Sequence, residues 1–253
     1  MPRLISFGLL LTIMALLSCQ GDDAPITLQE HIDSLPELTP FDELVACAGG
    51  GQPTFLADDD APLNVFFYPE LETHTIKYYE TADDNGDPDD LSLYSEVEAE
   101  HVPIFNGFLR RFPRPAPQND VYSRVSFING DTLWYSKAIK MKINEQPSEF
   151  LPELCEVDLS ITGEPIFTWE EGTVGENVIF FHAITTEQGD ALSGTYTEEQ
   201  RFQYYNLDNV VFNVTRTGQP QPLEVDSTYY MTLMGVSSDN WVNLFTEKRF
   251  TIE

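Results

Sequence analysis

Positive charge is scarce in this sequence: 13 Lys and Arg stand against 42 Asp and Glu, for a formal net charge of −29. A field of that sign repels phosphate backbones and anionic lipid surfaces, which excludes nucleic-acid binding. Cysteine is limited to Cys19, Cys47 and Cys155, and neither of the last two has a neighbouring Cys or His at metal-ligand spacing. Histidine occurs four times, as His31, His74, His101 and His182. There is no Gly-x-Ser-x-Gly elbow, no His-Glu-x-x-His pair and no phosphate-binding loop, so the common nucleophilic, zinc and nucleotide chemistries have no motif to rest on. A pair of carboxylates of the glycosidase kind is the catalytic option that 42 acids leave open. Long apolar runs are also lacking beyond Leu17.

What is present is enough to fold. Hydrophobic residues make up 42% of the chain and aromatic ones 12%, which can bury a substantial core in spite of the charge. From about Pro53 onward, short runs of Val, Ile, Phe, Tyr and Thr alternate with clusters of Gly, Pro, Asn and Asp. Strands at that spacing predict an all-β protein of sandwich or barrel type, and the length suits two sandwiches. Residues 20–40 are polar, carry three prolines and show no sustained period, which predicts a tether.

The first residues form a leader. Met1 and Arg3 precede an apolar stretch from Leu4 to Leu17 that is too short for a comfortable membrane span. Leu16-Leu17-Ser18-Cys19 resembles the lipobox of bacterial lipoproteins, and Gln20-Gly21-Asp22-Asp23 resembles the acidic export signal of surface lipoproteins of the Bacteroidetes group. The resemblance implies cleavage before Cys19, acylation of that residue, and a protein held to the outer membrane by its lipid, on the cell surface or facing the periplasm. Several acyl chains hold far more firmly than one.

The body of the chain resembles tandem fibronectin type III modules, which belong to the immunoglobulin-like sandwiches. In the first half, "LNVFFYP" (63–69), "HTIKYYE" (74–80) and "VYSRVSFINGDTLWYSKAIKMKI" (121–143) match the second, third and last two strands. In the second half, "IFTWEEG" places Trp169 where such modules carry a core tryptophan, and "ENVIFFHAI" follows as the next strand. "LEVDSTYYMTLMGV" sets Tyr229 where a tyrosine corner bonds back to nearby backbone. The expected division is a signal peptide over 1–18, a tether over 19–40, a first sandwich over 41–146 and a second over 147–253. The short link at 144–154 predicts modules arranged end to end with little hinge freedom. Cys47 and Cys155 would then lie far apart, as buried small hydrophobes rather than a disulfide.

Functional expectations follow from single features. In "DDNGDPDD", Asp83, Asn85, Asp87 and Asp89 offer alternating side-chain oxygens around a glycine, as calcium requires of a flexible loop, with a solvated loop as the alternative. Trp134 follows the "NGDTL" turn and Trp241 the "SSDN" turn, so both are expected at equivalent hairpins, either displayed for binding or covering the edge of a core. Ser34, in Asp33-Ser34-Leu35, fits the short O-glycosylation signal of Bacteroidetes. His182 alternates with apolar residues and is expected to be packed rather than catalytic. Three readings result: a non-catalytic surface lipoprotein that binds a glycan or a protein, a structural spacer of an envelope complex, or a hydrolase with a carboxylate pair. None needs a cofactor other than calcium.

Overall fold

The computed structural model describes residues 25–51 and 61–253. The first sandwich comprises β1 (Thr39–Leu44), β2 (Ala46–Gly50), β3 (Leu63–Phe67), β4 (His74–Glu80), β5 (Ser95–Glu96), β6 (Val102–Ile104), β7 (Leu109–Arg114), β8 (Val121–Asn129), β9 (Thr132–Ser136) and β10 (Ile139–Met141). The second comprises β11 (Glu149–Phe150), β12 (Cys155–Asp158), β13 (Ile166–Trp169), β14 (Asn177–Thr186), β15 (Ala191–Thr197), β16 (Arg201–Gln203), β17 (Val210–Asn213), β18 (Thr228–Ser237) and β19 (Val242–Thr251).

Both halves follow one plan. One sheet runs β1-β9-β8-β4-β5, with β10 continuing the line of β9 against β8, and its partner runs β2-β3-β7-β6. The second half repeats this as β11-β19-β18-β14-β15-β17 facing β12-β13-β16. In each, the first strand lies parallel to the last, β1 on β9 and β11 on β19, before the chain crosses to the other sheet. The protein is therefore all-β, with two immunoglobulin/fibronectin III-like sandwiches. The expected landmarks are in place: Trp169 is buried in the second core, and the Tyr229 hydroxyl accepts from the Glu224 amide at 2.8 Å, closing a tyrosine corner. His182 is packed inside β14, and Cys47 and Cys155 are both free.

Two expectations fail. Residues 25–40 are not a tether, because Thr27 caps a short helix, α1 (Leu28–Asp33), through a reciprocal pair with Glu30. Leu28 packs on Tyr79 and Tyr94, His31 Nδ1 meets the Tyr79 hydroxyl at 2.6 Å, and the chain then enters β1. Burial and the cap outweigh the polar composition of the segment. Nor are the sandwiches end to end. The β2-β3-β7-β6 sheet packs one face on its own core through Leu63, Val65 and Phe67, and the other through Phe66, Phe108 and Leu109 on the large sheet of the second sandwich. Phe181, Ala183, Met234 and Phe245 meet it there, so four β layers stack. The link at 144–154 is accordingly tied to the body, with Ser148 fully buried and β11 paired to β19.

Close approach across this seam depends on a glycine. A Cβ added to Gly194 would stand 2.3 Å from Phe108 Cζ. Gly194→Val should therefore cost about 1–3 kcal/mol by overpacking, and Phe108→Ala in the same chain should recover part of that loss. Chemical denaturation of the two single variants and the double variant measures the coupling; strict additivity would mean that the ring and the glycine do not meet.

Candidate functional site

The features singled out in the sequence come apart in three dimensions. Cys19 lies outside the described residues. Ser34 is exposed at the end of α1, where its hydroxyl donates to the His31 carbonyl at 2.7 Å. Asp83 and Asp87 do not converge: each turns back to accept from a backbone amide two residues on, at 2.9 and 3.0 Å. Asp84 pairs with Lys140 at 3.2 Å, and Asp89 meets Arg124 at 3.3 Å. Arg124 is buried, lies over the Tyr94 ring and donates to the Pro88 carbonyl, so the acidic loop wraps a buried guanidinium. The calcium arrangement expected of Asp83, Asn85, Asp87 and Asp89 is thus not assembled: one oxygen each of Asp83, Asp87 and Asp89 is turned to an amide or a cation of the chain. Among the described residues, no three His, Cys, Asp or Glu side chains are grouped to hold a metal ion.

The two tryptophans also part company. Trp134 sits between Phe41 and Phe127, with ring centroids 4.7 and 6.2 Å away, and covers the edge of the first core. Trp241 is 0% exposed and lies in the core of the first sandwich although it belongs to the second. Its Nε1 donates to the Gln146 carbonyl at 2.8 Å. Around it, the Ala48 and Lys140 amides donate to the carbonyls of Asn240 and Asp239, and Lys142 pairs with Asp239 at 2.8 Å. The expected display of Trp241 is corrected: its hairpin is a plug that locks one module into the other.

Catalytic geometry is not found at the histidines. Burial drives the His182 imidazole down to about 3, so it is neutral, with Nδ1 2.7 Å from the Thr195 hydroxyl. Burial also holds His31 and His101 below the usual histidine value, and His101 Nδ1 receives Arg110 at 2.8 Å. Desolvation pushes the Cys47 thiol up to about 12, which leaves no thiolate at neutral pH. Asp120, close to Glu145, is raised mainly by burial, with the Glu145 and Asp84 charges adding. That pair lines none of the five grooves described on the surface.

One surface feature remains that sequence reasoning did not find. An apolar groove of about 270 Å³ runs along the seam between the modules. Leu44, Val45, Ala46 and Cys47 at the β1–β2 crossover form one wall, and Ile179, Tyr196, Phe212 and Val236 of the large second sheet form the other. Its polar side chains Lys137 and Asn240 are engaged, by Asp42 and by the Ala138 carbonyl. Two β-bulges border it. One sits between Asn177 and Ile179 and leaves Val178 53% exposed. The other sits opposite Tyr196 and Thr197 and leaves Val211 and Phe212 53% and 46% exposed. A bulge breaks the alternation of faces and re-aims side chains. Adjacent apolar residues in "NVIF" and "VVF" are the sequence trace of this, visible only once the strands are known.

No protein-family model matches the chain, and no curated protein matches it. Among solved structures it is similar to the crystal structure of chicken CNTN1 FN1-FN3 domains, at 12% identity and a TM-score of 0.27, over 86% of this chain and 68% of that one. It is also similar to the I-band fragment I67-I69 from titin, at 6% identity and a TM-score of 0.19, over 85% of this chain and 62% of that one. At these scores neither likeness adds to what the strand order already establishes. Among the described residues, no helix is long and apolar enough to cross a membrane.

Proposed function

We propose that this protein is a non-catalytic binding module held to the outer membrane by lipid on Cys19 and presenting the seam groove to a protein partner. The observation that carries this reading is an apolar groove on a body whose two modules share a core, because a preorganised surface binds without an ordering cost. The lipobox-like Leu16 to Cys19 supports the anchor. Among the described residues the first tied into the body is Ile26, whose carbonyl accepts from the Glu96 amide at 2.9 Å, so six residues lie between it and Cys19 and the connection spans at most about 25 Å. The body would therefore stay close to the membrane. The same rigidity favours the spacer reading as the second choice, since stacked layers cannot hinge.

Placing photoreactive benzoylphenylalanine at Phe212 in cells tests the proposal. A discrete adduct is expected from Phe212 and none from the more exposed turn residue Leu71, and Cys19→Ala should abolish both membrane retention and the adduct. Identical labelling from both positions would leave the protein a spacer.

A further inference from the structure

Resting on that binding reading, we infer that the seam groove takes an amphipathic, positively charged protein segment, its apolar side chains on Ile179, Tyr196 and Phe212 and its cations at the rim. The floor supports the apolar half. Its Lys137 and Asn240 are engaged within the protein, so it offers few of the directed polar groups by which a sugar is held, whereas apolar side chains need none. Two bulges on different strands, β14 and β17, leave Val178 and Val211 exposed, each next in sequence to a groove residue, Ile179 and Phe212. An exposed apolar surface framed by polar residues is the form of a protein interaction site.

Charge decides the other half. Asp42 and Glu43 precede the first wall, Asp239 precedes Asn240, Glu176 precedes β14, and Glu198 and Glu199 follow the strand that carries Tyr196. The nearby lysines, Lys137 and Lys142, are neutralised by Asp42 and Asp239. The carboxylates that flank the groove residues in sequence, on a chain of net charge −29, attract a basic partner and repel a second copy of the chain. The occupant is therefore a basic amphipathic segment of another protein.

The test uses the full chain with Cys19→Ala, which carries no lipid to compete, and two short amphipathic peptides of one pattern, leucine with lysine and leucine with glutamate. Calorimetric titration should show the lysine peptide binding, more weakly as salt is raised, and the glutamate peptide not binding. Phe212→Asp should weaken the lysine peptide by about tenfold or more, although the added negative charge would strengthen plain charge attraction. Leu71→Asp should leave it unchanged. Equal binding to the Phe212→Asp and Leu71→Asp chains would overturn the inference, because attraction would then be diffuse. Equal binding of the glutamate peptide would overturn the basic occupant and leave the groove standing. Absence of binding by either peptide, with the Phe212 adduct still formed in cells, would overturn the inference and keep the binding reading; loss of the adduct as well would overturn both.

Discussion

Trp241→Ala is expected to cost about 3–5 kcal/mol of stability and to weaken both sandwiches together. The side chain is fully buried among Leu44, Ala48, Val125 and Met141 of the first module, so its loss leaves a cavity there. The indole also bonds the Gln146 carbonyl, and an unpaired buried carbonyl adds its own desolvation cost. For a body of this size the melting temperature should fall by about 6–20 °C. Calorimetry with near-ultraviolet dichroism can follow the two cores at once. The wild type should unfold in one transition, and the variant should melt earlier or in two steps. A variant that keeps the wild-type midpoint would show that the hairpin merely rests on the first module.

The second large effect is a pH dependence. His182 is 0% exposed and burial lowers its imidazole from 6.5 to about 3. Below pH 6.5 the unfolded chain takes up a proton that the native state refuses, so stability falls as pH drops from 6.5 towards about 3 and levels off below that. At 1.36 kcal/mol per unit, the loss at pH 5 is about 2 kcal/mol relative to neutral pH. Carboxylates titrate over part of the same range, so the informative quantity is the difference from His182→Leu. The variant loses the Thr195 contact and should be less stable at pH 7, but should gain about 2 kcal/mol on the wild type by pH 5. A difference independent of pH would mean that water reaches the imidazole.

The exposed apolar residues explain where reading the sequence stopped. Val178 and Phe212 look like ordinary strand residues, and only the bulges beside them reveal that they remain at the surface. Similarly, "DDNGDPDD" has the composition of a cation loop, but its own amides and Lys140 and Arg124, distant in sequence, take up Asp83, Asp84, Asp87 and Asp89. Trp134 and Trp241 occupy equivalent hairpins and differ because Trp134 packs between Phe41 and Phe127 of its own module while Trp241 enters the neighbouring core.

Local periodicity and turn chemistry determined the all-β class, a length suited to two sandwiches and the packed His182, and the resemblance to fibronectin type III modules implied the core place of Trp169 and the corner at Tyr229; each depends on neighbours within one module. How the modules sit was decided by the tertiary structure. "LNVFF" and "VIFFHAI" are nearly continuous apolar runs, interrupted only by Asn64 and His182, and a strand buried on both faces reads in that way. Leu63, Val65 and Phe67 fill one core and Phe66 the other, so a run that looks like one hydrophobic strand serves two interfaces. The pattern recorded that both faces are covered; it could not record by what, since the covering residues lie on another module and the choice between stacking and stringing rests on contacts such as Phe108 on Gly194 and Trp241 in the first core.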